Sequence, residues 1–162
     1  TLFRSVPFFF RPLHFLVFDP VTLIAFAGLV IAAIRLRRKT DWHRRLQYCG
    51  MSLLTGPAFG RLLPMPLLKP LAFEATFAAV MIFPLVGMLA DWRRTGAVHP
   101  AWKWGVGAMV GSLVLTEAIT YSPVGMALYD AVTSGSPGAS VAPLEFPAPP
   151  EGPLVTGRTA AN

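Results

Sequence analysis

The chain alternates long apolar runs with short, charge-rich connections. Four of the runs approach the ~20 mostly apolar residues that a membrane helix needs. The first is PVTLIAFAGLVIAAI, Pro20 to Ile34, closed at once by Arg35. The second, LQYCGMSLLTGPAFGRLL from Leu46 to Leu63, is the most polar. The third runs from Leu71 to Ala90 and the fourth from Ala101 to Tyr121. With their flanks they predict helices over about 18–36, 44–63, 71–91 and 100–121. Asp19 suits the N-cap of the first helix, and Pro20 its first turn. The prolines of PMPLLKP, Pro64 to Pro70, fit a tight connection between the second and third helices. SPVGMALYDAVT, Ser122 to Thr133, reads as a short amphipathic helix on the membrane surface. The expected fold is therefore all-α, a transmembrane helical bundle occupying residues 6–133. From Ser134 onward Pro, Gly, Ala and Ser dominate without periodicity, and residues 134–162 are expected to be disordered.

Composition strengthens the membrane reading. Hydrophobic residues make up 54% of the 162 and charged residues 14%, against about 25% charged in soluble domains. A formal charge of +6 raises the question of nucleic acid, but the basic residues sit in short loops rather than on one face, which excludes it. Arg35, Arg37, Arg38, Lys39, Arg44 and Arg45 follow the first helix, and Arg93, Arg94 and Lys103 surround the connection between the third and fourth. By the positive-inside rule, loops 35–45 and 91–100 are cytoplasmic, and the tail lies outside a bacterial inner membrane. Trp42, Trp92, Trp102 and Trp104 fall on that same side, as an interfacial aromatic belt requires. The single cysteine, Cys49, reads as a small packed hydrophobe.

The opening TLFRS lacks an initiator Met. Residues 1–5 resemble the translation of ACG-CTC-TTC-CGA-TCT, the end of a widely used short-read sequencing adapter. The expectation is an artefact at the start and a lost upstream portion. DWHRRLQYCGMSLLTGPAFGRLLP and VHPAWKWG resemble an uncharacterised group of bacterial multi-pass membrane proteins. The matching positions are His43, Arg44, Arg45, Arg61, His99 and Pro100. The resemblance implies that this chain is the C-terminal part of a larger, about seven-helix protein, with about three helices preceding it. Gln47 departs from the group's usual Met.

Ionisable side chains within a bilayer are costly and are functional suspects. Arg61, Glu74 and Glu117 fall at similar shallow depth near the outer helix ends, with His14 and Asp19 ahead of the first helix. Together they predict an outward polar pocket that binds or passes a small polar ligand or protons. The plainer reading is a set of interfacial side chains that snorkel or form one ion pair. His43 and His99 precede the second and fourth helices and are the candidate haem or metal ligands, although no zinc-site spacing is present. No other cofactor is indicated. DWHRR and DWRR recur at 41–45 and 91–94, but one enters a helix and the other leaves one, so they are not an inverted repeat.

Gly56 with Gly60, and Gly107 with Gly111, are spaced for close helix packing in lipid. Ser52, Thr55, Ser112, Thr116 and Thr120 are placed to bond across helices. Pro57 and Pro84 should bend their helices. No nucleophile–base set or phosphate loop is visible, which points away from an enzyme. Three readings follow: a ligand- or proton-handling membrane protein, a membrane haem or redox protein, and a structural or assembly protein. The expected partners are the bilayer and either further copies of the chain or its missing upstream helices.

Overall fold

A computed structural model describes residues 9–135 and 137–147. The adapter-like residues 1–5, and residues 148–162 of the expected tail, lie outside the described residues. Among the described residues the fold is all-helical: α1 (Pro12–Arg35), α2 (Thr40–Leu53), α3 (Gly56–Leu62), α4 (Ala72–Thr95), α5 (Pro100–Thr120) and α6 (Pro123–Thr133). Short 3-10 turns at Met65–Leu68 and Pro137–Ser140 complete the order.

The first helix begins earlier than the apolar run alone suggests. Pro12 takes the first-turn position, with Arg11 as N-cap, so Pro20 falls inside the helix and Asp19 is not its cap. The extra turns lengthen α1 to 24 residues, about 36 Å at ~1.5 Å per residue. The expected second helix is broken. Leu54 and Thr55 separate α2 from α3 just before Gly56 and Pro57. Pro57 lacks the N–H needed to continue the ladder from α2 and suits the first turn of a new helix. Pro84, by contrast, sits within α4 without ending it, and Gly96 (φ 74°) terminates that helix in the left-handed conformation glycine tolerates.

Two helices, Pro12–Arg35 and Ala72–Thr95, are long and apolar enough to cross a membrane. Within their apolar windows only 22% and 28% of residues are buried inside the protein. Ile24, Leu85 and Val114 are among the large side chains left exposed.

The helices meet around a core of Leu29, Ala33, Leu46, Cys49, Val80, Trp102 and Met109. Cys49 is fully buried, as expected. The expected packing glycines do not make the close approaches. A Cβ added at Gly60, Gly107 or Gly111 would meet nothing within 4 Å, and at Gly56 only Phe18 at 3.9 Å. The close approach is at Gly105, where an added Cβ would lie 2.5 Å from Cys49 Sγ, and at Gly87, where it would overlap the Trp102 ring.

Trp102 turns inward rather than joining an interfacial belt. Its Nε1 donates to Asp91 Oδ2 at 2.7 Å, and Arg45 Nε donates to the same oxygen at 2.6 Å. Arg45 also reaches Asp41, at 3.1 Å from Oδ1. The aspartates of the two recurring DW pairs thus converge on one arginine and clasp α2, α4 and α5 together.

At the opposite end, Leu13, Val17, Val21 and Tyr129 form a second cluster, and Leu144 packs on it. The start of the segment expected to be disordered is docked here. Leu13 N–H donates to Pro143 O at 3.0 Å, and Tyr129 Oη donates to Val141 O at 3.1 Å. Phe146 lies under the cations of Arg11 (5.0 Å) and Lys69 (4.5 Å). The apolar cluster at Leu13, its first-turn N–H and the Tyr129 hydroxyl offset the ordering cost that composition alone implies.

Candidate functional site

The early start of α1 brings His14 into the interior, where it is 5% exposed. Its ring lies against Phe73 at the start of α4, with centroids 4.0 Å apart, and Phe18 meets the same ring edge-on at 4.9 Å. His14 Nε2 stands 3.1 Å from Glu117 Oε1 on α5. This is an ion-pair distance, but the two atoms are off the line a hydrogen bond needs, and both count as buried without a hydrogen-bond partner. Thr120 Oγ1, one turn further along α5, is likewise buried and unpartnered.

Below this pair lies a cavity of about 190 Å³ enclosed by α1, α3, α4 and α5. Phe10, Phe15, Phe18, Phe73 and Phe77 line it with aromatic faces. Its polar lining comes from His14, Asp19, Thr22, Thr76, Ser112 and Thr116. Thr76 Oγ1 donates to Ala72 O (2.8 Å), Ser112 Oγ to Met109 O (2.7 Å) and Thr116 Oγ1 to Ser112 O (2.9 Å). These three hydroxyls spend their one hydrogen on their own helix and keep acceptor lone pairs. The expected cross-helix bonds are therefore not made: Ser52 and Thr55 also bond back to Tyr48 O and Ser52 O. The lining presents acceptors, aromatic faces and one exposed carboxylate at the rim, Asp19.

The expected group of Arg61, Glu74 and Glu117 is only partly assembled. Arg61 and Glu74 are exposed, and neither joins an ion pair among the described residues. α3 is too short, and too far offset by the break at Thr55, to carry Arg61 inward. Glu117 pairs instead with His14. Arg11 reaches this end of α5 by donating from Nη1 to Tyr121 Oη. Gly56 and Gly60 line the cavity rather than a helix contact, leaving room a larger side chain would fill.

His43 and His99 stand at the other end. His43 Nδ1 donates to Ala33 O at 2.8 Å, tying α2 to the end of α1. His99 caps α5, accepting at Nδ1 from Ala101 N–H at 3.2 Å, and its ring meets Trp42 edge-on at 5.6 Å. Among the described residues no group of three or more His, Cys, Asp or Glu comes together as metal ligands.

Comparison of the chain with known proteins finds no matching family model, no matching curated protein and no matching solved structure.

Proposed function

We propose that the chain is part of an integral membrane protein that crosses the bilayer four times and holds a small donor-bearing or cationic ligand in the cavity between α1, α3, α4 and α5. The single observation that carries the ligand reading is the character of that cavity: aromatic faces, three hydroxyls (Thr76, Ser112 and Thr116) whose hydrogens are spent on their own helices, and Asp19 at the rim. Such a lining complements N–H donors and positive charge through lone pairs and ring quadrupoles. The His14–Glu117 pair at the same end is suited to accept or release a proton as the ligand enters.

Four crossings are supported by direction. His14 near the start of α1 touches Phe73 near the start of α4, so the two apolar helices begin at one end. If both cross, the chain between them recrosses through α2 and α3, and α5 returns it. The cavity lies at the end away from the basic connections, which the positive-inside bias places outside a bacterial inner membrane. The motif resemblance is consistent with this arrangement, since Arg45 of the His-Arg-Arg-Leu stretch builds the clasp to Asp91. We propose membership of that uncharacterised bacterial group on those motif residues.

The test is binding of trimethylphenylammonium to the purified full chain in nanodiscs, against its neutral isostere tert-butylbenzene. The expected result is at least tenfold preference for the cation, reduced by Asp19→Asn. Equal binding of the two would make the cavity a mere apolar gap and end the proposal.

A further inference from the structure

The bundle carries a second feature, next to the His14 cavity and sharing Ser112 with its lining: an apolar groove of about 520 Å³ on the face between α1 and α5. Gly28 and Ala32 on α1 face Ala108 and Gly111 on α5 across its floor, and Trp42 and Trp104 stand at one end. Its lining follows α1 from Val21 to Leu36. At ~1.5 Å per residue that is roughly 22 Å, more than one leaflet of a ~30 Å hydrocarbon core. Gly28 and Gly111 open onto the groove, since an added Cβ at either meets nothing within 4 Å.

The groove ends where the charge begins. Leu36, in its lining, is flanked in sequence by Arg35 and Arg37, and Trp104 by Lys103; all three basic residues are exposed. The nearby carboxylates Asp41 and Asp91 are already taken by Arg45. The positive charge at the mouth is thus left without an internal counterion among the described residues. Trp104, 70% exposed, stands where an indole marks the headgroup level.

We infer that this groove holds one acyl chain of an anionic phospholipid, with the headgroup phosphate against Arg35, Arg37 and Lys103. Charge complementarity selects this occupant. A second copy of the chain inserted in the same orientation would bring its own basic end to the same level, and like charges would repel. The inference rests on the membrane reading above but not on the cavity ligand.

The experiment begins with alkaline carbonate extraction of membranes containing the full chain, which tests the membrane reading by itself. Release of the chain would end that reading and this inference together. The retained protein is then purified in detergent, exposed to equal phosphatidylglycerol and phosphatidylcholine, and weighed by native mass spectrometry. The expected result is one retained phosphatidylglycerol per chain. Gly28→Leu with Gly111→Leu should abolish retention by filling the groove while leaving the fold intact, judged by circular dichroism. Arg35→Gln and Lys103→Gln should each weaken it about fivefold. Equal retention of both lipids, or lipid unaffected by the leucines, would overturn the inference. So would a chain of doubled mass that the leucines dissociate, which would put a second copy in the groove.

Discussion

One oxygen of Asp91 accepts from both Arg45 and Trp102, at 2.6 and 2.7 Å. Removing its charge while keeping its shape isolates that contribution. Asp91→Asn should destabilise the protein by roughly 1.5–3 kcal/mol, the usual range for hydrogen bonds to a charged group. That corresponds to a melting temperature roughly 3–12 °C lower for a chain of this size, read by thermal unfolding in detergent. An unchanged melting temperature would remove the clasp from the account. Glycines give a sharper contrast at the same scale. Gly105→Ala pushes a methyl to 2.5 Å from Cys49 Sγ and should cost about 1–3 kcal/mol. Gly107→Ala meets no neighbour and should stabilise by up to about 1 kcal/mol through helix propensity. The reverse order would mean that small residues at four-residue spacing, the pattern visible in the sequence, mark the contact after all. That pattern was legible and misplaced: spacing says which residues share a helix face, but not which face meets a neighbour. His14 and Glu117 were both visible as members of one polar group, yet their direct pairing was not, because it depends on where α1 begins.

At the scale of elements, apolar length predicted α4 and α5 closely, because each is one uninterrupted run ended by a strong stop. It missed the break between α2 and α3, although Gly56-Pro57 stood in plain view as a breaker signal. It also missed the docking of 137–147, since composition reports how much apolar area a segment has and not whether a complementary surface awaits it. Tyr129 makes that docking testable. Burial, assisted by the charge of Asp130, pushes its hydroxyl above the ordinary tyrosine value of 10.0. A group with a raised folded pKa contributes stability that is fully present below the unfolded value and is lost as pH rises through the folded one. The neutral hydroxyl is also the donor to Val141 O. Hydrogen exchange at the Leu13 amide, which donates to Pro143 O, should therefore stay protected up to about pH 10 and, after correction for intrinsic rates, lose protection above it. Tyr129→Phe removes the donor and should raise exchange there at neutral pH, with α4 unaffected. If the phenylalanine variant keeps full protection, Leu144 packing alone holds the segment.

For the whole molecule, the question is whether the chain crosses a membrane, and how many times. Length and composition admit α1 and α4; α2 and α3 are each too short alone, and α5 carries Lys103 and Glu117 in its apolar run. If α1 and α4 both cross, their shared starting end requires that the chain between them return through α2 and α3. Single cysteines in a Cys49→Ala background decide it. Arg38→Cys and Ala97→Cys lie in the basic connections, and Leu67→Cys and Val124→Cys lie on exposed positions at the opposite end. An impermeant maleimide applied to sealed cells should label Leu67→Cys and Val124→Cys at once, and the other two only after permeabilisation. Equal labelling of Arg38→Cys and Leu67→Cys would remove the crossing through α2 and α3, and with it the shared membrane direction of α1 and α4. Val124→Cys behaving like Ala97→Cys would remove the crossing of α5 alone. In that case Glu117 would leave the bilayer, and its pairing with His14 would no longer lie beside a membrane-embedded cavity. The labelling pattern therefore decides, before any ligand is tried, whether the His14–Glu117 pair has the low-dielectric setting in which holding a proton would matter.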